Sequence, residues 1–179
     1  MANRPVPVTK SVYLGLGSNV GDREAELRSA VRRLTSRDLR VTRVSSVYET
    51  EPMYKQDQPA FLNAVVEAET ELYPMRLLLR VANLELDMGR RREAANGPRN
   101  IDIDVLLLES SIVDMPALQI PHPRLHERRF VLEPLAELAP GLKHPKLGKT
   151  VTELLALLPA AGVRRTDIRL VAPLDIRQK

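Results

Sequence analysis

The stretch Gly97-Pro98-Arg99-Asn100-Ile101-Asp102-Ile103-Asp104-Val105-Leu106-Leu107-Leu108 organises the rest of this chain. It begins as a Gly-Pro turn and continues as β-branched and apolar residues, which is typical of a β-strand. Because side chains alternate between the faces of a strand, Asp102 and Asp104 are predicted to project from one face, roughly 7 Å apart. Leu106 and Leu108 are predicted to share that face. The opposite face takes Ile101, Ile103, Val105 and Leu107.

Arginines stand just upstream of this strand, at positions 90, 91, 92 and 99. Carboxylates can hold a hard cation, and guanidinium groups can hold phosphate, so the combination indicates nucleotide chemistry at the mouth of the strand. Two simpler interpretations remain open from the residues alone. The strand could be a half-exposed edge strand with its aspartates in water, and the arginines could form a solvated loop.

The composition restricts the class of protein. At 179 residues, with 44% hydrophobic and 28% charged residues, the chain is predicted to form one soluble domain. No apolar run approaches about 18 residues and no signal peptide is evident, so we expect no membrane span and a cytoplasmic protein. The absence of cysteine excludes disulfides and thiolate sites. A good part of the net charge of +4 lies near residues 90–99, and such a local patch favours a phosphorylated small ligand at least as much as a nucleic acid. The aromatic content of only 3% argues against a base-stacking nucleic-acid platform.

Hydrophobic periodicity predicts the order strand, helix, strand, strand, helix, strand. The predicted strands cover 11–16, 39–48, 61–70 and the stretch after Gly97, and the predicted helices cover 22–36, 73–88, 130–138 and 150–158. This βαββαβ order predicts an α+β, ferredoxin-like sandwich, with helices packed on an antiparallel-rich sheet. Within the single domain 1–179, residues 1–10 are expected to form a loose arm, about 11–158 the folded domain, and 160–179 a tail without assigned structure.

Three features of these elements bear on a site. Gly15, Gly17 and Gly21 do not have the spacing of nucleotide-binding fingerprints, so a tight strand-to-helix turn is the preferred interpretation. Glu85 falls on the apolar face of its helix, where its carboxylate needs either a nearby arginine or a ligand pocket. Asn63 lies between apolar neighbours on its strand, and spacing alone favours a surface position.

Six blocks of residues then stand in a distinctive order. They are 13–19 (YLGLGSN), 45–52 (SSVYETEP), 57–64 (DQPAFLNA), Glu85 with Gly89-Arg90 and Arg92, 97–104 (GPRNIDID), and Pro121-His122-Pro123-Arg124 through Arg128-Arg129-Phe130. In this order and spacing, over roughly residues 12–145, the chain resembles the 6-hydroxymethyl-7,8-dihydropterin pyrophosphokinase family (2-amino-4-hydroxy-6-hydroxymethyldihydropteridine diphosphokinase) of folate biosynthesis.

The resemblance implies an ATP-dependent enzyme that transfers pyrophosphate from MgATP to the hydroxymethyl group of 6-hydroxymethyl-7,8-dihydropterin and releases AMP. It implies two magnesium ions on Asp102 and Asp104. It also implies catalytic contacts to the triphosphate from Arg90, Arg92 and Arg99, and ATP contacts from Glu85, His122 and Arg128. The implied pterin pocket comprises Thr50, Pro52, Met53, Phe61, Asn63 and Phe130. For Asn63, the resemblance therefore replaces the surface assignment with a role in reading the pterin.

The chain departs from the family pattern at Asn96, where a tryptophan is common, and its arginine loop is slightly shorter. These departures leave the implied metal and phosphate ligands in place. The implied partners are ATP and the pterin, without nucleic acid or membrane, and a monomer is expected. From the residues alone, a nucleic-acid-binding α+β domain and a metal-dependent phosphohydrolase are the competing hypotheses.

Overall fold

The computed structural model describes residues 8–52, 57–90 and 97–174. The strands in these ranges are β1 (Lys10–Ser18), β2 (Leu39–Val44), β3 (Tyr48–Thr50), β4 (Phe61–Thr70), β5 (Asp102–Leu108), β6 (Val113–Met115), β7 (Leu118–Ile120) and β8 (Val163–Arg165). The helices are α1 (Arg23–Leu34), α2 (Pro74–Asp87), α3 (Arg129–Leu138) and α4 (Val151–Ala156), with a 3₁₀ turn at Leu125–Glu127. None of the helices described in these ranges is both long and apolar enough to cross a membrane.

The main sheet has the strand order β5-β1-β4-β3-β8, and β2 also pairs with β4. Every pairing in it is antiparallel. Helices α1 and α2 pack on one face of the sheet, and α3 and α4 cover the other, so the sheet lies between two apolar clusters. The predicted α+β sandwich with βαββαβ order is confirmed.

The two long helices form where the periodicity predicts them. The Asp22 side chain accepts a hydrogen bond from the amide of Ala25 at 3.0 Å and so caps α1, whose buried stripe faces the sheet. Helix α2 begins at Pro74, whose missing amide hydrogen costs nothing in a first turn. In α4, Thr150 and Glu153 form the predicted capping box.

The single strand predicted over 39–48 is wrong in one respect, because it is divided into β2 and β3. Both parts pair with β4: Val44 lies opposite Val66, and Tyr48 opposite Asn63. Between these two pairs, the three residues 45–47 lie opposite the two residues 64 and 65 of β4. The amide of Ser45 donates to the carbonyl of Val65, and the amide of Val65 donates to Ser45 Oγ, both at 2.9 Å. This bulge bends the strand, a feature that alternation alone does not reveal.

A second irregularity changes the predicted faces of β5. Tyr13 pairs with Leu107 and Leu14 with Val105, which leaves Leu106 as the extra residue. Leu106 shares the side of the aspartates as predicted, but Leu107 joins it in the cluster beneath α3, and Leu108 packs in the cluster beneath α1 and α2. The prediction for Leu107 and Leu108 is wrong because the bulge reverses the alternation.

Strand β5 lies at one end of the sheet order, so the edge-strand interpretation is right about its position. Its free edge is covered in part, because the amide of His122 donates to the carbonyl of Leu106 at 2.9 Å. At the opposite end of the sheet, β8 pairs with β3. This strand lies within residues 160–179, to which the sequence assigned no structure.

Candidate active site

The two aspartates at the start of β5 open into a cavity of about 250 Å³ on the α3 side of the sheet. Across the neighbouring strand β1, Gly17 lies opposite Asp102 and Gly15 opposite Asp104. The cavity is lined by Gly15, Leu16, Gly17, Thr50, Glu51, Gln58, Phe61, Asn63, Ala64, Val65, Arg90, Arg99, Asp102, Asp104, Leu106, His122, Arg128, Phe130 and Val131. Apart from Glu51, its charged side chains gather around β5. Thr50, Phe61 and Asn63 reach it from β3 and β4, and Phe130 reaches it from α3.

The charged part, called here the ionic end, comprises Arg90, Arg99, Asp102, Asp104, His122 and Arg128. Asp102 is its most heavily paired carboxylate. Arg90 Nη2 lies 2.9 Å from Asp102 Oδ1, and Arg99 Nη1 lies 2.8 Å from Asp102 Oδ2. Each carboxylate oxygen of Asp102 therefore carries one guanidinium.

Glu85 binds the second terminal nitrogen of the Arg90 guanidinium. Its carboxylate oxygen Oε1 forms an ion pair with Arg90 Nη1 and accepts a hydrogen bond from the amide of Ile103 at 2.7 Å. Burial raises the pKa of Glu85, whereas Arg90 and the Ile103 amide oppose the rise. Glu85 does not line the cavity, so of its two predicted environments the structure has the nearby arginine. It joins α2, Arg90 and the backbone of β5.

Asp104 stands slightly apart from its cations. Its Oδ2 lies 3.7 Å from Arg128 Nη1 and 3.8 Å from His122 Nε2. Burial and the neighbouring Asp102 carboxylate raise the pKa of Asp104 to about 7, although Arg128 opposes them. Burial and the nearby Arg128 lower the pKa of His122 to about 4, so this imidazole is neutral near pH 7. Asp104 thus lacks the close pairing that Asp102 has.

Arg128 contributes to the ionic end a hydrogen-bond donor that no described residue accepts. Its Nε is buried and has no hydrogen-bond partner among the described residues. Its guanidinium carbon lies 5.7 Å from the centroid of the Phe130 ring, which places the cation over an aromatic face. A buried donor without a partner is costly, so an acceptor on a ligand would relieve that cost.

The carboxylates of the ionic end fit a magnesium ion that also binds phosphate. Among the described residues, no group of three or more histidine, cysteine, aspartate or glutamate side chains is placed to hold a metal ion. Mg²⁺ is usually bound by one or two carboxylates together with substrate phosphates and water rather than by an all-protein cage. Asp102 and Asp104 offer that number of carboxylates.

The other part, called here the amide end, comprises Thr50, Phe61, Asn63 and Phe130. Asn63 is only 6% exposed, and its Nδ2 donates to Thr50 Oγ1 at 2.8 Å. The surface position that spacing favoured for Asn63 is therefore wrong. The side chain faces the cavity because the sheet face that carries it is covered by α3.

The glycines of β1 shape the floor between the two ends. A Cβ at Gly17 would lie 3.3 Å from Asn63 Oδ1, and one at Gly15 would lie 3.4 Å from a methyl group of Leu106. Both residues belong to β1, so the prediction that they form a turn is wrong for them. It is right for Gly21, whose φ of +72° suits the start of α1. The i, i+2 spacing of Gly15 and Gly17, which places both on one face of a strand, was the sequence signal for this arrangement.

Asn19 is a residue that the sequence reasoning missed. Its Oδ1 accepts a hydrogen bond from the amide of Arg99 at 2.9 Å, and its own amide donates to the Arg99 carbonyl at 3.1 Å. Its Nδ2 donates to Gln58 Oε1 at 3.0 Å and to the Pro59 carbonyl at 3.1 Å. One buried amide therefore fastens the connection before β4 to the connection before β5. Its place in the 13–19 block, three residues after the predicted strand 11–16, was the signal.

The structure thus brings most of the predicted site residues together around one cavity. Pro52 lies beside it, in an adjoining recess with Glu51, Gln58 and Ala60. The predicted residues Met53 and Arg92, together with Asn96, lie outside the described residues.

Comparison with known proteins gives a consistent result. The family model described as 7,8-dihydro-6-hydroxymethylpterin-pyrophosphokinase (HPPK) matches residues 13–140. The 2-amino-4-hydroxy-6-hydroxymethyldihydropteridine pyrophosphokinase of Methylorubrum extorquens is 47% identical over 156 residues, which are 87% of this chain and 98% of that protein. The folic acid synthesis protein fol1 of Schizosaccharomyces pombe is 44% identical over 87% of this chain, which spans 21% of that longer protein.

A solved structure of Plasmodium falciparum HPPK-DHPS has a TM-score of 0.70 and 17% sequence identity, covering 86% of this chain and 46% of that chain. At this identity the likeness concerns the fold. The resemblance seen in the six blocks is confirmed by the family match. Since that match covers most of the chain, and a relative of similar length shares nearly half its residues, this chain belongs to the 7,8-dihydro-6-hydroxymethylpterin-pyrophosphokinase family.

Proposed function

We propose that this chain transfers the pyrophosphoryl group of MgATP to the hydroxymethyl oxygen of 6-hydroxymethyl-7,8-dihydropterin, releasing AMP as in folate biosynthesis. The observation that carries the proposal is the single cavity with two unlike ends in a member of this family. The ionic end suits a metal-bound triphosphate, and the amide end suits a flat heterocycle with donors and acceptors.

In this proposal Asp102 and Asp104 hold magnesium, with two ions expected. Bound there, the metal neutralises phosphate charge and orients the phosphate oxygens. Asp102 would hold the metal through the carboxylate oxygens that pair with Arg90 and Arg99 in this structure. Arg90 and Arg99, which already face the cavity, are then available to phosphate oxygens without a large movement.

The transfer itself requires positioning more than covalent chemistry. The pterin hydroxymethyl oxygen gives up its proton to water and attacks the β-phosphorus of ATP, and the bond from that phosphorus to the oxygen bridging it to the α-phosphorus breaks. AMP leaves with the bridging oxygen. Arg128 supplies its unpaired Nε–H donor, and the neutral imidazole of His122 acts as a hydrogen-bonding group rather than a cation. Glu85 keeps Arg90 in place from behind.

The pterin is proposed to lie between the Phe61 and Phe130 side chains. Because Asn63 Nδ2 is engaged by Thr50, its Oδ1 is presented as an acceptor for the amino group of the pterin. Pro52 lies beside this end. Met53 and Arg92 keep the roles that the resemblance implies, as predictions.

The finer expectations about partners and location belong to the same proposal. We infer a monomer in the cytoplasm that binds no nucleic acid. The contacts within the ionic end support the last point, because its arginines pair with aspartates that would repel a nucleic-acid backbone.

The test is the nucleotide product. The purified chain, incubated with ATP, 6-hydroxymethyl-7,8-dihydropterin and magnesium, should form AMP and the pterin pyrophosphate in equal amounts. Formation of ADP, or no turnover of this pterin, would contradict the proposal. Orthophosphate release without pterin would instead favour the phosphohydrolase.

A further inference from the structure

The C-terminal strap, defined as residues 159–174, lies outside the residues 13–140 that match the family model. Its strand β8 adds to the sheet beyond β3, with Arg165 opposite Tyr48, Arg164 opposite Glu49 and Val163 opposite Thr50. Thr50 is the residue whose hydroxyl accepts the hydrogen bond from Asn63. The strap therefore pairs directly with the strand that carries part of the amide end.

Two ion pairs and one hydrogen bond connect the strap to the start of α1 and to the residue before β4. Arg164 Nη2 forms an ion pair with Glu49 Oε2, and Glu49 Oε1 lies 3.0 Å from Arg23 Nη2 at the start of α1. Arg23 Nη1 donates to the carbonyl of Ala60 at 2.7 Å. Ala60 directly precedes Phe61, the first residue of β4. These contacts thus connect the strap to the backbone beside both Thr50 and Phe61.

Two further contacts fix the strap along β3. The Arg165 guanidinium donates to Ser46 Oγ through Nε at 2.9 Å and Nη2 at 2.6 Å. The amide and hydroxyl of Thr166 both donate to the carbonyl of Val47 at 2.9 Å. Further along, apolar strap residues anchor against the main core, namely Ile168, Leu170 and Ala172. The short strand β3 is therefore held between β4 on one side and an anchored strap on the other.

We propose that the strap is a positioning element for the pterin, acting through Arg164 on Glu49 and β3. This inference rests on the proposed function. A strand of three residues without the strap would be an edge strand with free backbone groups, and would spend more time away from the arrangement that presents Thr50 and Asn63. Since apparent affinity falls with the population of the competent arrangement, loosening the strap weakens pterin binding selectively. Arg164 touches no substrate in this proposal.

Substitutions at Arg164 separate this role from general stability. Its side chain is 73% exposed, so the ion pair with Glu49 contributes little to folding and Arg164→Ala should fold normally. In an antiparallel pair of strands, hydrogen-bonded residue pairs alternate with non-hydrogen-bonded pairs. Because the amide of Thr166 donates to the carbonyl of Val47, the next hydrogen-bonded pair along the strands is Arg164 with Glu49. Arg164→Pro therefore removes a ladder donor as well as the guanidinium.

The experiment measures steady-state kinetics of the full chain for both substrates, with thermal unfolding of each variant. We expect the KM for the pterin to rise about threefold in Arg164→Ala, where an exposed ion pair is lost. In Arg164→Pro, where a backbone hydrogen bond is lost too, we expect a rise of about tenfold. The KM for ATP and the kcat should stay within about twofold of wild type in both, since the ionic end is untouched. Arg164→Lys should recover most of the loss seen in Arg164→Ala.

Arg169→Ala is the matched control, because Arg169 is an exposed arginine of the same strap with no ion pair within the described residues. It should leave both KM values unchanged. Equal rises for the two substrates, or a lowered melting temperature with an unchanged pterin KM in Arg164→Ala, would overturn the positioning role. If Arg164→Pro does not fold, the alanine and lysine variants carry the test. A wild-type chain that makes no AMP would instead overturn the proposed function.

Discussion

The ionic end and the amide end of the cavity are built on different principles. At the ionic end, the groups proposed to bind ligand are held by one another: Asp102 carries two guanidiniums, and Arg90 bridges Asp102 and Glu85. At the amide end, Asn63 Nδ2 donates a hydrogen bond to Thr50 Oγ1, and both residues depend on the backbone of β3 and β4 for their positions.

This difference predicts how each end responds to change. Removing a charge from the ionic end leaves a partner uncompensated and affects chemistry directly. Altering the amide end changes recognition of one substrate. If the two ends function independently, a substitution at one end should leave the other intact.

The largest effect is expected from Asp104→Asn, which keeps the shape of the side chain and removes its charge. The kcat for AMP formation should fall about a thousandfold, because a proposed metal ligand is lost where phosphate charge develops. Pterin affinity, measured by calorimetry, should stay near that of wild type. An equal loss of pterin affinity would mean that the two ends are not separable.

Asn63→Ala should produce the converse pattern. We expect the KM for the pterin to rise about a hundredfold, since ring donors or acceptors and the Thr50 hydroxyl lose their partner. The KM for ATP should change little, and steady-state kinetics with each substrate varied in turn checks both values. A variant with normal pterin KM would remove Asn63 from the proposed pocket.

Asn19→Ala is expected to impair both ends of the cavity, because Asn19 contacts the connections that lead to both. The kcat/KM should fall about thirtyfold for each substrate, as hydrogen bonds on both sides of the residue are lost. The same kinetic measurements provide the check. A defect confined to one substrate would show that Asn19 supports one connection alone.

The smallest effect concerns the pH dependence of MgATP binding at the ionic end. With a pKa of about 7, Asp104 is protonated in much of the free protein below pH 7, and metal binding must displace that proton. MgATP should therefore bind about tenfold more weakly at pH 6 than at pH 8, with proton release at the lower pH. Calorimetry in buffers of different ionisation enthalpy measures the release. Asp104→Asn should abolish it, and a pH-independent affinity in wild type would contradict the assignment.

The sequence predicts those parts of the molecule that follow from regular alternation and from capping. Strand β4 and the buried stripe of α1 match the prediction because their periodicity is uninterrupted. Asp102 and Asp104 share a face as predicted, since both precede the irregularity in β5. The ferredoxin-like order follows from these elements.

The parts that could not be predicted depend on contacts between distant segments. The bulges at Ser45 and Leu106 are set by partner strands, so no local pattern reveals that Leu108 changes face. Asn63 is buried because α3 covers its sheet face, which spacing alone did not predict. The role in reading the pterin that the resemblance implies for Asn63 stays a prediction. Strand β8 pairs with an edge that the distant strand β3 offers, and the local sequence of this basic segment, which Pro173 interrupts, does not reveal that edge.

The mutual pairing at the ionic end has a consequence for encounter with the nucleotide. Among the described residues, Glu85, Asp102 and Asp104, when ionised, balance Arg90, Arg99 and Arg128, so the site carries its own counterions. A triphosphate that carries two divalent cations is close to neutral as well, whereas one with a single cation keeps a charge of about −2. For the nucleotide with two cations, long-range attraction to the site is small, so its rate of association should depend only weakly on ionic strength. Selection is then left to short-range exchange of partners inside the cavity, where salt has least access.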